Sequence, residues 1–422
     1  MLKINNNYKV KILNLDYKGD GVTKIDNKFV YIKGLLKDEV AIIKLTNLNR
    51  RFGVGEIVEI IEPSINRRAS LNKLGSLNLY HLSFNNQLDW QKDITKETLN
   101  KVLNKNVSVL DTITDLAEFN YRNKVVYHVM DENVLKLGLY TNNNEKLVVV
   151  NDFLLANKKV NEIVKLINQN EIKIKKNKVF NLIFKNNRIN EILVTIVADS
   201  FEFKGLEELI NILSNISNVK GVTINIKEYR EKILGSKSKV LYGMNLLKDN
   251  NLLINDQSFM QVNFGVMDLT YSLIKEHVLG PKIIDAFSGV GSIGFSLYNE
   301  NYEIIMLENN LSNIKLANII KNENNYYNVK IISGNAEDEI INLDGNTVIV
   351  DPPRKGLDIK FVNALKEIKV ERFIYLSCNL QTLARDLKLL ENEYEIDKVY
   401  PIKMFPQTNA FETLVILNGK KR

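Results

Sequence analysis

A single cysteine, Cys378, in 422 residues excludes an internal disulfide, and with it any site that needs several thiolates, such as a structural zinc or an iron–sulfur cluster. No apolar run reaches the ~18 residues that a membrane-spanning helix needs. The opening MLKINNNYKV lacks the continuous apolar stretch of a secretory signal. A cytoplasmic protein with no membrane partner is therefore expected. Internal repeats are absent, and the Asn-rich stretches carry too many apolar residues to be low-complexity linkers.

The composition is that of a globular chain, 45% hydrophobic and 25% charged, and the length is too great for one ordinary domain. Fifty-seven Lys and Arg against 50 Asp and Glu give a net charge of +7, which favours a polyanionic partner. A general bias toward Lys, Asn and Ile would give the same balance, so charge alone does not decide.

Alternating apolar and polar residues divide the chain into three. From Tyr8 to about Glu62 the runs YKVKI, KFVYI, EVAIIKL and GEIVEII, punctuated by Gly19, Gly21, Gly34 and Gly53, predict a small antiparallel barrel of the kind that holds oligonucleotides. Lys44, Arg50 and Arg51 fall on or beside one of its hairpins, where basic residues are more often merely solvated. A central α+β region, 63–253, has a helix expected over about Gln87 to Leu103 and strands at KLVVV, VFNLIF and EILVTIVA. From about Ile254 onward, seven strand-like runs alternate with helical segments, which predicts an α/β domain with a mainly parallel sheet covered by helices on both faces.

Several residues fall where the strands of such a sheet end. Asp285 to Gly291 reads DAFSGVG between the first strand and a helix, where glycines let a backbone approach a ligand closely. Glu308 ends the second strand, where its carboxylate could accept from two ribose hydroxyls; a solvated strand end is the plainer reading. The third glycine of a dinucleotide-binding loop is missing, so the spacing favours S-adenosylmethionine. Asn335 follows the third strand within reach of an adenine, although an isolated Asn is uninformative. The fourth strand runs into Asp351, Pro352, Pro353 and Arg354, and two prolines fix the loop that follows the carboxylate. Amino-group methyltransferases carry an aromatic residue after the prolines; Arg354 argues against that chemistry.

Cys378 ends the fifth strand ahead of a helix whose N-terminus is expected to lower its pKa, although a buried structural thiol is the ordinary reading of a lone Cys. Uracil C5 is too weak a nucleophile to take a methyl group directly. A thiolate must first add at C6, and a base must later remove the C5 proton. Cys378 and Glu412, which opens the last strand, are the candidates for these two tasks.

In these residues the chain resembles the RNA uracil-5-methyltransferase family, which includes tRNA U54 and 23S rRNA enzymes. The resemblance rests on QVN at Gln261 to Asn263, DPPRKGL at Asp351 to Leu357, YLSCN at Tyr375 to Asn379, TLARDL at Thr382 to Leu387 and FPQT at Phe405 to Thr408. It implies a Rossmann-like S-adenosylmethionine-dependent methyltransferase domain over 254–422, a central RNA-recognition domain over 63–253 and an OB-like TRAM barrel over 1–62. It further implies Cys378 as nucleophile, Glu412 as general base, and Gln261, Phe287, Glu308, Asn335 and Asp351 as contacts to S-adenosylmethionine. The TRAM barrel favours 23S rRNA over tRNA as the RNA partner, and nothing demands more than a monomer. Two departures stand out. Leu74 and Leu77 occupy positions where relatives bind a 4Fe–4S cluster through cysteines, so a fold without metal is expected, and Ala410 stands where relatives carry His. These departures motivate a second reading, an RNA-binding or RNA-folding factor with weakened catalysis.

Overall fold

The computed structural model describes residues 2–130, 132–142, 146–228 and 231–420. The N-terminal unit is a six-stranded sheet of β1 (Asn7–Lys11), β2 (Asn14–Leu15), β3 (Gly21–Ile25), β4 (Lys28–Ile32), β5 (Val40–Leu48) and β6 (Phe52–Glu62) in the order β1-β5-β6-β4-β3-β2. Every pair is antiparallel except β4 with β6, a parallel closure that alternation alone does not reveal. Period-two alternation sends Val30, Ile32, Ala41, Ile43 and Leu45 into one core. Lys44, Arg50 and Arg51 are exposed on or beside the β5–β6 hairpin.

This unit docks through Leu15 and Leu36 against Leu79, Leu82, Trp90 and Ile94. Trp90 lies on α1 (Phe84–Leu103), donates its indole N–H to the Asp16 carbonyl at 3.0 Å, and meets Phe411 edge to face at 5.9 Å. The indole is thus a core element, 6% exposed. Helix α1 begins a turn earlier than Gln87 and ends on Asn104 in the left-handed region. Its far half buries Leu99 and Leu103 against the C-terminal sheet rather than the central one.

The central sheet contains β7 (Lys124–Val129), β8 (Leu137–Tyr140), β9 (Leu147–Val149), β10 (Val179–Asn186), β11 (Ile192–Ala198), β12 (Val219–Ile226) and β13 (Ser238–Gly243), in the order β13-β12-β11-β10-β7-β8-β9. Two helices, α2 (Lys158–Gln169) and α3 (Leu206–Ser214), cover one face. Val160, Ile163, Val164 and Ile167 form the i, i+3, i+4, i+7 stripe that seats α2. Leu77 is buried in this core and Leu74 packs against it, so the positions of the cluster cysteines in relatives are filled by hydrocarbon.

A short hairpin, β14 (Leu247–Asp249) and β15 (Leu252–Ile254), leads to α4 (Phe264–His277) and the third sheet. Its strands are β16 (Lys282–Ala286), β17 (Glu303–Glu308), β18 (Val329–Ser333), β19 (Thr347–Val350), β20 (Arg372–Ser377), β21 (Tyr394–Ile402) and β22 (Glu412–Gly419). The order is β18-β17-β16-β19-β20-β22-β21, parallel except for β22. One face is covered by α4, α5 (Ser292–Ser296) and α6 (Leu311–Glu323). The other carries α1, α8 (Ile359–Ile368) and α9 (Leu380–Leu390), with the single-turn α7 (Ala336–Glu339) beside them. Among the described residues no helix is long and apolar enough to cross a membrane.

Because Trp90 joins the barrel to the body of the protein, Trp90→Ala is expected to cost about 3–5 kcal/mol. Urea unfolding should show a lowered midpoint; an unchanged midpoint would contradict this packing role.

Candidate active site

Parallel strands deliver their C-terminal ends to one edge of a sheet, and ligands bind there in open α/β folds. Phe287 follows β16, Glu308 ends β17, Asn335 follows β18, Asp351 follows β19 and Cys378 follows β20. Five consecutive strands therefore bring five of the seven candidate residues to the same edge. Glu412 arrives by the opposite route. Its strand is antiparallel to both neighbours and lies between β20 and β21. The register pairs Ser377 with Thr413, so one step further along the two strands Cys378 meets Glu412. Gln261, the seventh, enters from the loop before α4 and donates its side-chain amide to Asp351 Oδ2 at 3.2 Å.

The first turn is shaped to face a ligand. Phe287 holds φ at +64°, a costly conformation for a bulky residue, and its ring is retained against Phe361 at 5.5 Å. At Gly289, φ is +59° and the place a Cβ would occupy is empty to 4 Å, so the backbone there borders open space. Glu308 accepts from the amides of Gly289 and Asn310 at 2.8 and 2.7 Å, which orients the carboxylate while leaving lone pairs free. Asn335 is exposed, with its amide engaged by Asp338 and Asn309. Asp285, buried below the turn, accepts from Gly294 N–H; burial pushes its carboxyl up to about 7.

The TLARDL motif acts on the DPPRKGL loop, which its two prolines alone do not hold in place. Asp386, fully buried, accepts from the Tyr375 hydroxyl at 2.8 Å and the Leu357 amide at 2.9 Å, and Arg385 donates to the carbonyls of Lys355 and Leu357. Gly356 has φ +77°, and a Cβ there would come within 2.6 Å of Asp386 Oδ2. Asn379 donates to the Arg354 carbonyl at 3.0 Å and caps α9 through Gln381. These bonds staple the loop after Asp351 to the helix after Cys378. Gln407 of the FPQT motif is likewise buried. Its side chain accepts from Arg68 and Gln87 and donates to Glu118, which ties the β21–β22 turn to α1 and the central region.

The electrostatics overturn one expectation. The thiol of Cys378 is pushed up to about 11, by burial and by the carboxylates of Glu412 and Asp351; Arg354 and the backbone offset only part of this. The field of the α9 N-terminus is outweighed by burial and, after it, by two acidic neighbours. Glu412 is 3% exposed, its Oε2 has no hydrogen-bond partner among the described residues, and burial raises its pKa well above the ordinary value. Burial also raises Asp351, against the amide of Gln261. Burial thus holds the Cys378 thiol and the Glu412 carboxyl toward their neutral forms and brings Asp351 up to about 7.

The profile described as tRNA (Uracil-5-)-methyltransferase matches residues 83–420, and that of the TRAM domain matches residues 3–58. The chain belongs to the tRNA (uracil-5-)-methyltransferase family. Similar members include an uncharacterized RNA methyltransferase of Caldanaerobacter subterraneus subsp. tengcongensis, 32% identical over 99% of both chains. Another, from Clostridium acetobutylicum, is 29% identical over 99% of this chain and 98% of its own. The fold is that of the Pyrococcus abyssi tRNA (uracil-54, C5)-methyltransferase, solved with S-adenosyl-L-homocysteine. That structure matches with a TM-score of 0.78 over 97% of this chain and 100% of its own at 21% identity.

The family assignment makes the state of the lone thiol directly measurable. Alkylation of Cys378 by iodoacetamide in the free protein should rise about tenfold per pH unit from 7 to about 10 without levelling. A plateau near pH 8 would contradict a thiol held in its neutral form by its neighbours.

Proposed function

We propose that the protein methylates carbon 5 of a uridine in RNA through a covalent bond between Cys378 and C6 of the base. The observation that carries this reading is the antiparallel entry of β22, which sets Glu412 across from Cys378 beside Asp351. An amino-group methyltransferase would need neither the thiol nor a buried carboxyl opposite it. We further propose the barrel over 1–62, central domain over 63–253 and methyltransferase domain over 254–422 as functional units of a monomer, with α1 lent to the last.

The open space at Gly289, the oriented Glu308 and the Gln261–Asp351 pair fit S-adenosylmethionine, with Phe287 and Asn335 completing its contacts. When bound it supplies an electrophilic methyl group and a positive charge. Such a charge favours ionisation of the acidic groups that burial keeps neutral. In the proposed mechanism Cys378 and Glu412 lose their protons to solvent as the positive charge enters, and the thiolate adds to C6 and makes C5 enolate-like; once C5 carries the methyl group, the Glu412 carboxylate takes the C5 proton, and the thiolate leaves as the double bond re-forms. Once ionised, Glu412 Oε2, buried and without a hydrogen-bond partner among the described residues, can accept that proton.

The RNA would run along the central sheet. Two adjoining cavities of about 310 and 330 Å³ share His128 and Tyr140, and among the described residues their charged lining is Arg122, Lys124, Lys227 and Lys232. At its inner end Arg122 bridges to Asn263, two residues from Gln261. From Arg122 to His128 the strand spans ~20 Å, enough for about three nucleotides beside the reacting uridine. The barrel supports 23S rRNA as the substrate. The alternative is tRNA: the Pyrococcus enzyme, named for uracil-54 of tRNA, matches this chain across the barrel as well.

Two outcomes are expected. Cys378→Ala should lose both turnover and any RNA adduct stable to denaturing electrophoresis, while Glu412→Gln should slow turnover by about 10²–10⁴ and accumulate the adduct; turnover by Cys378→Ala would end the proposal. Lys124→Ala and Lys227→Ala should each lower the salt dependence of RNA binding by about one unit of slope. Unchanged slopes would move the RNA elsewhere.

A further inference from the structure

Gln261 faces the methyltransferase sheet, yet the segment that carries it is fastened to the central one. Lys185, on β10 and 5% exposed, donates its ammonium to the carbonyls of Asn255, Asp256 and Ser258 at 2.7, 2.9 and 2.7 Å. Three N–H donors thus meet three acceptors of one tight turn. The turn is closed by its own side chains, since Asn255 N–H donates to Ser258 Oγ and Ser258 N–H to Asn255 Oδ1. The Asp256 carboxylate is occupied by Ser238 and Asn245 and makes no hydrogen bond to Lys185.

A second tether lies just beyond. Asn123, 4% exposed and next to β7, donates its side-chain amide to the Gln261 carbonyl at 2.8 Å and its backbone N–H to the Val262 carbonyl at 2.9 Å. Only Phe259 and Met260 lie between the two tethered stretches, and Gln261 Nε2 emerges at Asp351.

A buried ammonium without a carboxylate bonded to it is an expensive fastening. Burial, with Lys124 nearby, brings Lys185 down to about 7. An apolar side chain of similar length would fill the same space at lower desolvation cost, although the three carbonyls would then lose their donor. Retaining such a group makes sense where the position of the turn matters more than the stability it contributes. Lys185 and its neighbour Lys124 sit on the two adjacent strands β10 and β7, and Lys124 lines the basic groove, so one pair of strands touches both the groove and the Gln261 segment.

We propose that Lys185 and Asn123 are positioning residues that set Gln261 against Asp351 from the central sheet, and so couple the RNA-binding sheet to the methyl-donor pocket. The proposal rests on the assignment of Gln261 as a donor contact.

The test is calorimetric titration of S-adenosyl-L-homocysteine into the full-length protein, Lys185→Met, Gln261→Ala and the double variant. Lys185→Met should weaken binding about tenfold, within the range such couplings reach. If Lys185 acts through Gln261, the double variant should bind no more weakly than Gln261→Ala alone. In turnover, the KM for the methyl donor should rise while kcat at saturation holds. Wild-type affinity in Lys185→Met, or losses that simply add in the double variant, would overturn the tether while leaving the donor pocket intact. No binding by the unaltered protein would overturn the pocket assignment and the tether together. Should Lys185→Met fail to fold, Asn123→Ala crossed with Gln261→Ala decides the same point by the same criteria.

Discussion

The antiparallel hydrogen bonding of β22 between β20 and β21 is the constraint on which the rest of the site depends. A sheet made only of parallel strands can offer its reactive edge the residues that end strands. Reversing one strand lets a residue that begins a strand join them, and Glu412 is that residue. The turn that feeds β22 must then be held against the rest of the molecule. Gln407 does this from the turn itself, through Gln87 on α1, Arg68 and Glu118. Phe411, one residue before Glu412, packs on Trp90, which carries the barrel. The position of Glu412, the proposed general base, and the docking of the N-terminal unit are thus parts of one packed assembly.

The same closeness sets the electrostatics. Burial raises the thiol and both carboxyls, Asp351 adds to the rise of Glu412 and both carboxylates to that of Cys378, and the local cation, Arg354, offsets the shifts of Cys378 and Glu412 only in part. In the proposed mechanism this is useful: a thiol kept neutral in the free protein is protected from adventitious alkylation, and becomes a nucleophile when a positive charge enters the cleft. Catalytic groups tuned by neighbours in this way are a common feature of acid–base sites.

Much of this arrangement was legible in the sequence where a single strand carries the information. All seven runs of the C-terminal region form strands, and Glu308, Asp351 and Cys378 lie at the strand ends that alternation and the following turns predict. What could not be read depends on pairing between distant segments. The parallel β4–β6 closure, the interior position of β22, the attachment of α1 to the C-terminal sheet and the burial of Trp90 all follow from contacts far apart in the chain. The direction of the Cys378 shift differs for the same reason: a helix N-terminus is visible locally, whereas the burial that dominates the shift is set by the fold. Asp386 and Gln407 lay inside motifs quoted from the sequence, but their roles as staples need the loop and turn they hold.

The measurement that bears most directly on the central claim is nucleoside analysis of unmodified 23S rRNA and tRNA transcripts after incubation with the protein and methyl-labelled S-adenosylmethionine. The account predicts label in 5-methyluridine, at a discrete position and in the 23S transcript in preference to tRNA. Label in a methylated adenosine or cytidine, or in neither RNA, would contradict it.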